Sequence, residues 1–125
     1  MRWIGVDYGE SYIGVAVSND NNTMAIPKEI ILFNNHIMFF TSMLELDAFQ
    51  GFVVGLPMHL SGHEGVLAEK ARKFGTHLNE QFKLKIIYED ERLTSKQSES
   101  IPRKKKARYD DIAASIILQQ YLDRK

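Results

Sequence analysis

The sequence predicts an α/β fold with a mixed central sheet of about five strands flanked by helices. Three apolar segments with β-forming side chains come first, at residues 3–6, 13–17 and 24–33. Amphipathic helical spacing then alternates with two short apolar runs, at residues 52–57 and 86–88. This alternation of strand and helix favours a partly parallel sheet.

Length and composition fit a single domain, residues 1–125, with one hydrophobic core. Of the 125 residues, 44% are hydrophobic and 26% are charged. The 16 basic and 16 acidic side chains cancel, so the net charge gives no argument for a nucleic-acid partner. The chain has no cysteine, which excludes disulfides and thiolate chemistry and fits a reducing compartment. We therefore expect a cytoplasmic protein.

The first apolar segment ends in a carboxylate. Residues 3–6 form a short strand, and Gly9 allows a tight reversal into the second strand. Asp7 is therefore expected at a strand end, the position where α/β sheets usually bind ligands, and its carboxylate suits Mg²⁺ or Mn²⁺. The alternative is a simple turn aspartate, because Asp and Gly are common turn formers.

The middle of the chain supplies an edge strand, two helices and a buried strand. Pro27 indicates an edge or an irregularity in the third strand. Apolar residues at three-and-four spacing predict a helix within residues 37–49, ended by Gly51 and too short and polar to span a membrane. Residues 52–57, closed by proline, are typical of a buried parallel strand. A second amphipathic helix is expected over residues 66–82.

The last strand and the last helix bring further acids. The strand at residues 86–88 leads into three consecutive acids that end at Glu91, and the final helix begins near Asp110. If the first and last long strands lie side by side, Asp7, Glu91 and Asp110 could converge on one metal site, which would suit a nuclease. The alternatives are that Asp110 only complements the helix dipole and that Glu91 only pairs with a neighbouring basic side chain.

A basic run and two histidines are weaker signals. The run consists of Arg103, Lys104, Lys105, Lys106 and Arg108, and it could bind phosphates, although such runs are more often solvated loops. His59 and His63 have the spacing of a helical metal pair, but they lack the glutamate of H-E-x-x-H and lie among glycines. They are held as candidate substrate contacts and not as a zinc site.

Five motifs occur in order along the chain, and they are Gly5-Val6-Asp7-Tyr8-Gly9, residues 13–18, Val54-Gly55-Leu56-Pro57, Asp90-Glu91-Arg92-Leu93-Thr94 and residues 110–118. Together they resemble the YqgF/RuvX family of Holliday junction resolvases over essentially the whole chain. The resemblance implies a ribonuclease H-like fold and a nuclease that holds a divalent metal on three acids. Family members are described as resolving branched DNA or maturing the 5′ end of pre-16S ribosomal RNA. On matching positions the acids are Asp7, Glu91 and Asp110.

The chain departs from that family pattern at three places. Members usually carry an arginine where this chain has Tyr12 and an aspartate where it has Asn19, and many have Asp-Gly where it has Ser61-Gly62. None of these changes removes a proposed metal ligand. A tyrosine in place of a guanidinium would weaken phosphate binding beside the metal.

We therefore expect a metal-dependent endonuclease that acts on structured nucleic acid, with pre-16S ribosomal RNA as the substrate and Mg²⁺ or Mn²⁺ as the cofactor. Arg92 would orient Glu91 or the scissile phosphate, and Asp90 and Asp111 are the nearest substitutes among the acids. Phosphates would be contacted, without sequence information, by Lys104, Lys105, Lys106 and Arg108.

Three alternatives stay open. One is a resolvase of four-way DNA, because that substrate would present the same phosphate to the same metal. A homodimer would suit the symmetry of such a junction. A non-catalytic ribosome-assembly protein that binds nucleic acid is favoured by Tyr12 and Asn19. An actin-like or sugar-kinase ATPase would share the Asp-x-Gly hairpin, but those folds bind nucleotide between two domains.

Overall fold

The computed structural model describes residues 1–57, 65–90 and 109–124, with side chains from residue 112 onward in the last segment. Three consecutive strands are followed by a 3₁₀ turn at Phe33–Asn35 and then by helices that alternate with two further strands. The strands are β1 (Arg2–Asp7), β2 (Tyr12–Ser18), β3 (Ala25–Leu32), β4 (Phe49–Leu56) and β5 (Lys85–Asp90), and the helices are α1 (His36–Leu46), α2 (Val66–Phe82) and α3 (Tyr109–Arg124).

β1 is the central strand of a five-stranded sheet with the order β3-β2-β1-β4-β5. It pairs antiparallel with β2 and parallel with β4. β5 extends the parallel half beyond β4, and β3 forms the antiparallel edge beyond β2. The predicted mixed sheet of five strands is confirmed, and the carboxyl ends of β1, β4 and β5 lie at the same edge.

β3 carries the irregularity that its proline predicts. Its register with β2 shifts between the pairs Val15↔Glu29 and Ala16↔Pro27. Pro27 has no backbone N–H to donate, so it is tolerated here because β3 is an edge strand with one partner.

The two faces of the sheet bury two separate clusters of apolar side chains, because successive strand residues point to opposite faces. α1 and α2 cover one face, where Phe40, Phe74 and Leu78 pack on Ile4 and Val6. α3 covers the other face, where its apolar side chains pack on Trp3, Ala16 and Val53; they are Ala114, Ile117, Leu118 and Leu122.

The expected end of the first helix at Gly51 is wrong. α1 ends at Leu46, and β4 begins at Phe49, whose ring is buried in the sheet core. Gly51 lies inside β4, where a Cβ would come within 2.8 Å of the Trp3 ring and 2.6 Å of the Lys85 carbonyl oxygen. This glycine therefore serves close packing between strands and not helix termination.

In the part of the chain that the structure describes, no helix has the length and apolar character needed to cross a membrane.

Candidate active site

Asp7 is the last residue of β1, at the carboxyl edge of the central strand. It is half-buried and shares a strand face with Gly5. A Cβ on Gly5 would lie 2.8 Å from Leu118 Cβ and 2.9 Å from the Ala114 carbonyl oxygen. The α3 backbone therefore approaches β1 as closely as a glycine permits, and the Asp7 side chain belongs to the face that α3 covers.

The contacts of α3 with β1 pass from Gly5 to Trp3 along the helix, so its first turn lies beyond Gly5 on the Asp7 side. The Tyr121 ring packs edge-on against Trp3 with centroids 5.0 Å apart, whereas Ala114 and Leu118 face Gly5, two residues further along β1. The start of the helix, where Asp110 is the second residue, therefore precedes the contact with Gly5 by about one turn.

Glycines flank Asp7 on both neighbouring strands. Gly14 on β2 pairs directly with Asp7. On β4, Val54 pairs with Val6, so the next residue, Gly55, continues the row beside Asp7, and Gly55 in turn pairs with Glu89 on β5. The strands next to Asp7 thus place no side chain beside its carboxylate at this level.

Glu89 is a buried acid that holds β5 and α3 together. Its side chain is 5% exposed and forms an ion pair with Arg124 at the end of α3. Gln120 Nε2 donates to a Glu89 carboxylate oxygen at 2.7 Å and to the Asp90 carbonyl oxygen at 3.1 Å. Because both α3 side chains satisfy this carboxylate, the first of the three consecutive acids links β5 to α3.

The other predicted site residues fall into two groups. Asp110 and Asp111 belong to the first turn of α3, where the backbone alone is described. Asp90 ends β5, and the positions that follow it lie outside the described residues. The predicted residues outside the described ranges are Glu91, Arg92, the basic run of Arg103, Lys104, Lys105, Lys106 and Arg108, and the loop residues His59, Ser61, Gly62 and His63.

Within the described ranges, no group of three or more His, Cys, Asp or Glu side chains could hold a metal ion. Of the three predicted metal ligands, Asp7 is the one whose side chain lies within the described residues.

The two departures from the family pattern that the structure describes lie at opposite ends of the sheet. Tyr12 begins β2, two residues before the partner of Asp7, and is 49% exposed. Asn19 follows the other end of β2, where its Oδ1 accepts hydrogen bonds from the backbone N–H of Thr23 at 2.8 Å and of Met24 at 3.1 Å. Asn19 closes the β2–β3 turn, so only Tyr12 bears on the surroundings of Asp7.

A second feature of this sheet edge, the aromatic pocket, was missed by sequence reasoning. It has a volume of about 540 Å³ and lies on the α1 and α2 side of the sheet. Sequence signals for it exist in the i, i+3, i+4, i+7 stripe of Lys70, Lys73, Phe74 and His77 on α2, but the partners come from distant segments. The lining residues are Tyr8, Glu10, Phe33, His36, Lys70, Lys73, Phe74 and His77.

His36 is a buried polar member of the aromatic pocket. Its Nδ1 lies 2.6 Å from the Phe33 carbonyl oxygen, an acceptor, so Nδ1 carries a proton. Burial lowers the pKa of His36 below its usual 6.5, the hydrogen bond to Phe33 opposes this shift, and nearby His77 adds to it. The imidazole is therefore neutral at neutral pH, and it packs on Phe74 and His77 with ring centroids 5.1 and 5.3 Å away.

Comparison with known families decides the relationship. The family model described as "RuvX: Holliday junction resolvase" matches residues 1–124. The chain belongs to the RuvX family. Among similar sequences is the "Putative pre-16S rRNA nuclease" of Syntrophus aciditrophicus, 35% identical, with 98% of this chain and 89% of that protein covered. The protein of the same name from Limosilactobacillus fermentum is 37% identical, with 98% and 94% covered. The names within the RuvX family thus describe nucleases.

Solved structures confirm the fold of this RuvX-family chain. The Thermus thermophilus RuvC structure in complex with Holliday junction substrate superposes with a TM-score of 0.58 at 12% identity, covering 99% of this chain and 94% of that one. The fowlpox virus Holliday junction resolvase superposes with a TM-score of 0.55 at 16% identity and full coverage of both chains. The predicted ribonuclease H-like fold is therefore confirmed.

Proposed function

We propose that this RuvX-family protein is a metal-dependent endonuclease that acts on structured nucleic acid and processes the 5′ end of pre-16S ribosomal RNA. The observation that carries the proposal is the position of Asp7 at the carboxyl end of the central strand, with the first turn of α3 beside it. The relatives named as pre-16S rRNA nucleases support the choice of substrate. The cytoplasm is the proposed compartment, since the sequence has no cysteine.

The proposed metal ligands are Asp7, Glu91 and Asp110, which would hold Mg²⁺ or Mn²⁺. A carboxylate oxygen is the donor that such hard cations prefer, and the residues beside Asp7 on both neighbouring strands are glycines, which add no side chain there. A divalent metal there would polarise the phosphodiester and favour hydroxide over water as the nucleophile. Asp90 and Asp111 are the nearest alternative ligands.

The chain's own part in the reaction is to hold the phosphate and to position the acids. The tight contact of α3 on Gly5 fixes the helix start against the Asp7 end of β1. Arg92 is proposed to orient Glu91 or the scissile phosphate. The remaining proposed phosphate contacts position the nucleic acid without reading its sequence, and they are Lys104, Lys105, Lys106 and Arg108.

Cleavage of two labelled substrates tests the proposal. A precursor ribosomal RNA fragment and a four-way DNA junction are each incubated with Mn²⁺ or EDTA. We expect metal-dependent cutting of the RNA by the wild type and none by Asp7→Asn. Asp20→Asn is the matched control, because Asp20 is an exposed acid at the β2–β3 turn, far from the Asp7 end.

The outcomes separate the candidate functions. If only the DNA junction is cut in a metal-dependent reaction, the proposed substrate becomes branched DNA. This is the substrate in the name of the matching family. In that case a homodimer is proposed, because the substrate is symmetric. If the protein binds both substrates but cuts neither, while a control nuclease cuts them under the same conditions, the proposed enzymatic activity is wrong. That result would favour a non-catalytic ribosome-assembly protein.

A further inference from the structure

The aromatic pocket opens at the same sheet edge as Asp7 but on the opposite face. Tyr8 follows Asp7 directly and packs with the α1 and α2 side of the core, whereas Asp7 faces α3. The two features therefore begin at consecutive residues of the chain. A nucleic-acid strand whose phosphate lies at Asp7 would have a neighbouring nucleotide within reach of the pocket.

The floor of the aromatic pocket consists of three rings in edge-on or tilted contact with one another. Tyr8 packs on Phe74 at 5.2 Å and on Phe33 at 6.1 Å between ring centroids, and Phe33 lies 5.8 Å from Phe74. Tyr8 and Phe33 are only half-buried, so part of each ring faces the pocket. Flat aromatic surfaces of this kind bind nucleobases without sequence preference, and the volume is ordinary for a small-ligand site.

The rim of the aromatic pocket carries positive charge from α2. Lys70 forms an exposed ion pair with Glu10 at 3.2 Å, and Lys73 lies 3.7 Å from Glu69. Exposed pairs of this kind contribute little free energy, so a phosphate can take the place of either carboxylate at small cost. The rim thus offers an anion two ammonium groups above an aromatic floor.

The position of α2 on β5 is fixed by the Tyr88 side chain. A Cβ on Gly75 would lie 2.3 Å from the Tyr88 hydroxyl oxygen, so α2 sits directly on this side chain. The same hydroxyl donates to the Arg72 carbonyl oxygen at 3.1 Å, which fixes α2 along its own axis. The stripe of Lys70, Phe74 and His77 is thereby held toward Tyr8 and Phe33.

We propose that the aromatic pocket binds one unpaired nucleotide of the substrate next to the phosphate at Asp7. The base stacks on Tyr8 and Phe33, and a flanking phosphate contacts Lys70 and Lys73. An unpaired base is free to leave its stack, so this subsite directs the protein to junctions between duplex and single strand. The inference rests on the proposed function, of which it names one subsite.

Binding of a short labelled single-stranded RNA, measured by fluorescence anisotropy in EDTA, tests the subsite without cleavage. Phe33→Leu keeps an apolar side chain but loses the stacking face, and we expect it to weaken binding by about fivefold or more. Phe39→Leu is the matched control, because Phe39 is a half-buried α1 residue outside the pocket. Thermal unfolding of both variants shows that each is folded at the assay temperature.

Charge variants test the rim in both directions. Lys73→Gln should weaken binding and lower the slope of log K against log salt by about one, whereas Lys85→Gln, at the opposite end of the sheet, should change neither. Glu10→Gln frees Lys70 and should tighten binding by about twofold.

Two outcomes overturn the subsite. One is equal RNA affinity for Phe33→Leu, Lys73→Gln and their controls. The other is equal binding of a duplex of the same sequence with the same dependence on Phe33. If Asp7→Asn loses cleavage and the pocket variants bind RNA as the wild type does, the subsite is wrong and the nuclease function stands. If the pocket variants weaken binding but the wild type cuts neither substrate, the nuclease function is wrong and the nucleotide-binding pocket stands.

Discussion

Glu89 and Arg124 join the end of β5 to the last turn of α3 through an ion pair whose carboxylate is buried. Gln120, one helical turn earlier, reaches the same carboxylate. α3 is therefore held at two points, by close packing on Gly5 and by hydrogen bonds to Glu89. The position of the helix start beside Asp7 depends on both.

Arg124→Met should lower the free energy of unfolding by about 1–2 kcal/mol, because Glu89 stays buried with one partner fewer. The effect is smaller than for a fully buried pair, since the Arg124 side chain is 63% exposed. Urea unfolding measures it. Lys73→Met is the matched control, because the Lys73–Glu69 pair is exposed on both sides and its loss should cost less than about 0.5 kcal/mol. Equal stability of the two variants would show that the buried carboxylate does not depend on Arg124.

Gly5→Ala should both destabilise the protein and reduce cleavage. The added Cβ would meet Ala114 and Leu118 and push α3 away from β1, at a cost of about 1–3 kcal/mol. Gly51→Ala is the comparison, because it also introduces a clash, but at the other end of the sheet against Trp3. At a temperature where both are folded, we expect Gly51→Ala to retain cleavage that Gly5→Ala has lost. The same activity in both variants would separate the α3 contact from function.

Tyr12→Arg should strengthen binding of nucleic acid. Tyr12 is exposed near the Asp7 end of the sheet, where a guanidinium can form a bidentate contact with a phosphate. We expect the slope of log K against log salt to steepen by about one. Met24→Arg adds the same charge at an exposed position at the other end of the sheet and should change the slope less. A larger effect at Met24 would place the nucleic acid elsewhere.

His36 should make the protein less stable in mild acid. Because burial lowers the folded-state pKa of His36 below its usual 6.5, the unfolded chain binds the proton more readily. The free energy of unfolding should therefore fall as the pH drops below about 6.5 and level off below the folded-state pKa. Urea unfolding at several pH values checks this against His36→Phe, which should show a weaker decline in that interval. An identical decline in both proteins would assign it to other groups.

Local sequence patterns predicted the strands and the strand-end position of Asp7 well, because apolar runs bounded by glycine or proline have few alternative structures. The local pattern wrongly predicted that Gly51 ends a helix. Gly51 is needed instead because the Trp3 ring approaches its backbone closely, and a contact between distant segments leaves no local signal. Local patterns also could not show that Asn19 caps a turn at the far end of the sheet. The aromatic pocket was missed for the same reason, since Tyr8, Phe33 and Phe74 meet only in the folded chain.

The placement of Asp7 and Tyr8 on opposite faces makes the length of β1 intolerant of insertion or deletion. Adding or removing one residue between Trp3 and Asp7 would exchange the two faces, sending a carboxylate into the core under α1 and α2. Natural variation in length should therefore be absent from β1. It should accumulate instead in the exposed turn at residues 20–23, where an extra residue leaves every strand in register.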